Sequence, residues 1–79
     1  MTNSVKVYTT STCHYCIMTK EFLKKNNIQF ENIDVGLNRE AAKEMMDKSG
    51  QMGVPVLDID DQIIVGFDKE AISKALGLS

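Results

Sequence analysis

Apolar positions along this chain recur first at a strand-like spacing and then at a helical one, and each change of period predicts an element. Val5-Lys6-Val7-Tyr8-Thr9 has the β-branched and aromatic make-up of a strand. Thr10-Ser11-Thr12 is polar and turn-like, and Ile17 to Lys25 reads as an amphipathic helix that Asn26-Asn27 stops. Ile28 to Val35 alternates apolar with polar at a period of two and predicts a second strand. Gly36-Leu37-Asn38 breaks it. Asn38 is the expected N-cap of a second helix, Arg39 to Ser49, which carries Ala42, Met45 and Met46 at helical spacing and ends at Gly50. Gln51-Met52-Gly53 leads into a third strand, Val54 to Ile59, and Asp60-Asp61 is a short turn to a fourth, Ile63-Ile64-Val65. That turn lacks the glycine a two-residue hairpin prefers. Gly66-Phe67 closes the strand, Asp68 is placed to cap, and Ala71, Ile72, Ala75 and Leu76 mark a last helix before Gly77. The expected order is β-α-β-α-β-β-α, an α/β chain.

With 79 residues the chain is expected to form a single domain spanning 1–79, without linker, repeat or low-complexity stretch. A domain of this size buries only about 60–65% of the surface its unfolded chain exposes, so the core is expected to be thin. The opening Met1-Thr2-Asn3-Ser4 has no charged n-region or apolar h-region, and no apolar run is long enough for a membrane span. The expected location is therefore cytoplasmic. Nine basic and eleven acidic residues are mixed along the chain to a net charge of −2, which suggests neither nucleic acid nor an anionic membrane as a partner.

Both cysteines lie in Cys13-His14-Tyr15-Cys16, where the strand pattern gives way to the helical one. A helix N-terminus offers unpaired N–H groups and the positive end of the dipole, which stabilise a thiolate on the first sulfur. A thiolate is the species that attacks disulfides. Cys16 falls one turn further in on the same side, near enough to close a ring with Cys13. A structural role fits poorly, because a bridge over two residues constrains almost no unfolded-chain entropy. Zinc fits poorly as well, since it wants four ligands and the chain offers two cysteines and one histidine, His14, which lies between the thiols. No metal site is expected.

A CxxC after the first strand, Val54-Pro55 opening a later strand and Gly66-Phe67-Asp68 before the last helix together resemble the glutaredoxin branch of the thioredoxin fold. The chain is most similar to the small glutaredoxin-like redoxins that include electron donors to ribonucleotide reductase, and to a subgroup with a Gly-Gln-Met-Gly-Val-Pro segment. The resemblance implies a four-stranded mixed sheet with three helices. It also implies that Cys13 is the exposed nucleophile and Cys16 the resolving thiol. Pro55 then corresponds to a cis-proline facing the thiols, with the backbone of Val54 pairing with an incoming peptide or with glutathione. Gly66, Phe67 and Asp68 match the place where glutaredoxins hold the γ-glutamyl end of glutathione.

Three residues depart from that pattern. Thr10 stands where glutaredoxins usually carry a lysine for a glutathione carboxylate, Phe67 is bulkier than the residue it replaces, and His14 replaces a proline. The first two weigh toward a protein substrate. His14 reads as an exposed electrostatic modulator and not a general base, for no partner carboxylate is identifiable. Tyr15 reads as a shield of the sulfurs and a contact surface, and Asp68 as an N-cap that is also able to bind an amine. Met18, Met45 and Met46 read as core fillers, Met52 as a loop residue able to touch a partner, and Arg39, Lys43 and Lys48 as a solvated helix face. The expected function is thiol–disulfide oxidoreduction on a disulfide-containing protein by a monomer, with no bound cofactor and with a thioredoxin reductase or glutathione as the electron source. Two alternatives stand beside it: a glutathione-dependent glutaredoxin with glutathione as co-substrate, and a dimer bridged by an iron–sulfur cluster that acts as a carrier.

Overall fold

The structure, a computed structural model, describes residues 4–51 and 53–77. Met52 lies outside the described residues. The elements run β1 (Val5–Thr9), α1 (His14–Lys25), β2 (Glu31–Asp34), α2 (Arg39–Ser49), β3 (Val56–Ile59), β4 (Gln62–Val65) and α3 (Lys69–Leu76). They form a four-stranded mixed sheet in the order β2-β1-β3-β4, with β1 parallel to β2 and antiparallel to β3, and β3 antiparallel to β4. This is the expected fold and element order.

Alternation along the strands divides the core between the two faces of the sheet. Val5 and Val7 of β1, Leu57 and Ile59 of β3 and Ile64 of β4 pack with Leu23 of α1 and with Ile72 and Leu76 of α3. Tyr8 and Val56 turn to the other face, against Ala41 and Met45 of α2. The loops at the end of β1 and the start of β3 therefore meet beside the first turn of α1. No helix among the described residues is long and apolar enough to cross a membrane.

Several boundaries differ from the pattern read along the chain. Helix α1 begins at His14, three residues before Ile17, because the sulfur of Cys13 caps it. The second strand is only Glu31–Asp34; its partner β1 ends the parallel register at Thr9, and Ile28 and Phe30 pack against the core from outside the ladder. The third strand starts at Val56, since Val54 and Pro55 precede its ladder. The Asp60-Asp61 turn is made without glycine, both residues having positive φ (49° and 72°) as a type I′ turn requires. Asp60 Oδ1 accepts from the Ser4 N–H at 2.8 Å and Asp58 Oδ1 from the Asp61 N–H at 3.0 Å, and these bonds hold the turn.

Two methionines and one lysine lie elsewhere than the helical spacing suggests. Met45 is buried, but Met18 and Met46 are exposed, on the flanks of α1 and α2. Lys48 is not simply solvated: its Nζ bonds Asp58 Oδ2 at 2.6 Å and lies 3.1 Å from Glu44 Oε1, while the buried Tyr8 hydroxyl donates to the same Glu44 oxygen at 3.0 Å. The near-buried Asp58 carboxylate on β3 draws the lysine down over Tyr8, because a charge removed from water needs a partner.

Candidate functional site

The three helices start in the same way. Asn38 Oδ1 accepts from the Ala41 N–H at 3.1 Å and Asp68 Oδ1 from the Ala71 N–H at 3.1 Å, both side-chain caps on the third helical amide. Cys13 occupies that position in α1, with extended φ and ψ (−91°, 113°), and its Sγ accepts from the Cys16 N–H at 3.1 Å. The sulfur thus sits where a carboxylate or amide oxygen would cap, facing the positive end of the helix. The turn that delivers it is held by a Cys13 N–H bond to Thr10 O at 3.4 Å.

The two thiols differ in environment. Cys13 is half-buried and Cys16 fully buried, and both are free. Burial first, then the hydrogen bond with Cys13, push the Cys16 thiol up to about 12. The Thr10 backbone and the charge of Lys20 oppose that push. Lys20 stands four residues after Cys16 and, like other helical side chains, leans back toward the preceding turn. That spacing was legible in the chain, yet neither Lys20 nor the Thr10 backbone stood out from it.

From across the site, Val54 O lies 3.8 Å from Cys13 Sγ, positioned to accept from the thiol, and the Val54–Pro55 peptide is cis. Pro55 O accepts from the Gly66 N–H at 2.8 Å, so the Val-Pro loop and the segment after β4 are tied together. Gly66 makes this bond at φ 84°, a conformation that favours glycine. Cys13, Cys16, Val54, Pro55 and Gly66 are in this way connected through short contacts. Phe67 instead turns its ring to Phe22 of α1 in an edge-to-face pair with centroids 6.1 Å apart. Asp68 is exposed and spends one oxygen on the α3 cap; Tyr15 projects from the first turn of α1 and is 62% exposed. His14 is the first residue of α1 and also exposed. Chemically, the arrangement presents one accessible sulfur that accepts an N–H bond, with a second, protonated sulfur one turn behind it.

Comparison with known proteins agrees with this geometry. The glutaredoxin family model matches residues 5–64. A glutaredoxin-like 8.6 kDa protein encoded in the rubredoxin operon of Clostridium pasteurianum is 46% identical over 72 residues, spanning 91% of this chain and 96% of its own length. The crystal structure of a glutaredoxin from Archaeoglobus fulgidus superposes with a TM-score of 0.86 at 28% identity, covering 94% of this chain and 86% of that one. NrdH-redoxin from Escherichia coli, a glutaredoxin-like protein with a thioredoxin-like activity profile, superposes with a TM-score of 0.83 at 28% identity over 90% of this chain and 92% of its own. Matched by the family model from β1 to β4, and sharing its fold with glutaredoxins, the chain belongs to the glutaredoxin family.

Proposed function

We propose that the protein reduces disulfides of another protein through a mixed disulfide, with Cys13 as nucleophile and Cys16 as resolving thiol. The observation that carries this reading is the inequality of the two sulfurs: an accessible one at the helix start whose Sγ accepts from the Cys16 N–H, and a buried one held protonated. The Cys13 thiolate attacks one substrate sulfur, the substrate S–S bond breaks, and the departing thiolate takes up a proton. Cys13 then carries no charge, and the share of the push on Cys16 that came from Cys13 is gone. Cys16 gives up its proton and attacks Cys13 Sγ, which breaks the mixed disulfide and frees the second substrate sulfur as a thiol. The substrate has gained two electrons and two protons, and the protein is left with a Cys13–Cys16 disulfide. No bound cofactor is needed, because the electrons travel in the thiols and are restored by another dithiol.

Val54, with its backbone beside Cys13, is the residue on which an extended substrate segment would pair, and Pro55, Gly66 and Asp68 would form the far side of that cradle. The thioredoxin-like activity profile of the NrdH-redoxin neighbour and the threonine at position 10 favour a thioredoxin reductase over glutathione as electron source. Glutathione remains the second reading, supported by Asp68 at the start of α3. One pair of variants separates them. Cys13→Ser is expected to abolish all activity. Cys16→Ser is expected to accumulate a stable mixed disulfide with a protein substrate and to turn over a small glutathione mixed disulfide poorly. Robust turnover of that small substrate by Cys16→Ser would make the glutathione-dependent mechanism the first reading. A visible absorption band in the freshly purified protein would point instead to the cluster-bridged carrier.

A further inference from the structure

A groove of about 230 Å³ runs between α1 and the start of α3, lined by Met18, Glu21, Phe22, Lys25, Phe67 and Lys69. One wall lies on the helix that carries the two cysteines, and the other follows the segment tied to the Val-Pro loop. The first is the α1 face that begins at His14 and continues through Met18, Phe22 and Lys25, a spacing that stacks side chains along one side of a helix. The second follows Gly66, whose N–H is bonded to Pro55 O in the loop that faces Cys13 Sγ. The floor is apolar: the Phe22 and Phe67 rings meet edge to face, and Met18 is 45% exposed beside them. The rim is cationic. Among the described residues neither Lys25 nor Lys69 is in an ion pair, and Lys69 Nζ sits 5.7 Å from the Phe67 ring centroid. Glu21 is the one acidic residue in the lining, against two ammonium groups.

We propose that this groove seats a stretch of the disulfide-bearing protein in which one aromatic or large aliphatic residue is followed by carboxylates, a short distance from its reactive cysteine. The proposal rests on the reductase reading given above and names the kind of partner that site takes. The apolar floor has room for one large side chain, and the unpaired lysines offer it acidic neighbours. The distance follows from the helix. Met18 and Lys25 lie about 7 and 18 Å along the axis from Cys13 at 1.5 Å per residue, which an extended chain covers in about two to five residues. Phe67, bulkier than its counterpart in the family pattern, is thereby a floor residue for a protein segment and not a contact of the γ-glutamyl group.

The test uses three synthetic peptides with the same Cys-Ser-Ser-Cys disulfide: one without a tail, one with Phe-Glu-Glu three residues beyond the second cysteine, and one with Phe-Lys-Lys there. Single-turnover reduction by the pre-reduced protein is followed at low salt by quenching and mass spectrometry. The acidic tail is expected to be reduced about tenfold faster than the basic one. Lys25→Glu combined with Lys69→Glu, two surface changes, is expected to reverse that preference while leaving the tail-less rate unchanged. Equal rates for the two tails, or an unaltered preference in the double variant, would overturn the groove alone. A wild type that leaves even the tail-less peptide oxidised would overturn the reductase reading and the groove with it.

Discussion

The sharpest consequence of the site geometry is a difference in alkylation rate between two cysteines three residues apart. Only thiolates react with iodoacetamide, so each rate scales with the ionised fraction and with access. Cys16 is fully buried, and its thiol is raised from an ordinary value of 9.0 to about 12. Three units lower the thiolate fraction near pH 7 by about a thousandfold, equivalent to about 4 kcal/mol at 1.36 kcal/mol per unit, before any steric protection is counted. Cys13 has its sulfur at the helix start and is half-buried, so it is expected to take the first label. The reduced protein should be treated at pH 7, quenched at intervals and digested, and the label on each cysteine measured by peptide mapping. One equivalent is expected to enter rapidly at Cys13, and Cys16 is expected to label at least about a hundredfold more slowly than a free thiol until denaturant is added. Neutralising Cys13 by alkylation removes its part of the push on Cys16 but not the larger part due to burial, so the second label stays slow. Native Cys16 that labelled within tenfold of free cysteine would show that burial does not hold it protonated, and the division of labour between the sulfurs would fail.

Two further outcomes concern the scaffold. Lys48→Met keeps the aliphatic stem but strands the Asp58 carboxylate, which is 8% exposed; the expected loss is about 2–3 kcal/mol, seen in urea unfolding as a lower midpoint at unchanged slope, and Asp58→Asn in the same background should recover most of it. The Asp58 bond raises the Lys48 ammonium above its ordinary value of 10.5, so its stabilisation is full below that pH and is lost as pH climbs through the raised folded-state value; the gap between wild type and Lys48→Met should close only in strong alkali. Asp61→Gly relieves a positive φ of 72° in the β3–β4 turn while Asp60 keeps its bond to Ser4, and is expected to stabilise the fold by about 0.5 kcal/mol in thermal unfolding; a clear loss would mean that the turn depends on the Asp61 side chain.

Element types and their order follow from local pattern, which is why β-α-β-α-β-β-α was readable along the chain: the β-branched and aromatic make-up of Val5–Thr9, helical spacing in Arg39–Ser49, and caps at Asn38, Asp68 and Gly50 act within a few residues of themselves. The CxxC was equally local, because its position at the strand-to-helix change already placed the sulfurs at a helix N-terminus. What local pattern could not supply is any quantity that depends on a distant partner. The second strand shrank to Glu31–Asp34 because it is an edge strand whose length is set by its register with β1. Lys48 left the solvated face because Asp58, ten residues away in the chain, is buried beside it. Met18 stays outside the core because the face of α1 turned to the sheet is that of Cys16, Thr19 and Leu23. The approach of Val54 O to Cys13 Sγ, the bond from Gly66 to Pro55 and the groove between Phe22 and Phe67 likewise join segments far apart in sequence. Residue identity determines the chemistry a side chain can perform, while its charge state, exposure and neighbours come from packing, and packing exists only once β1, β3, α1 and α3 have closed on one another.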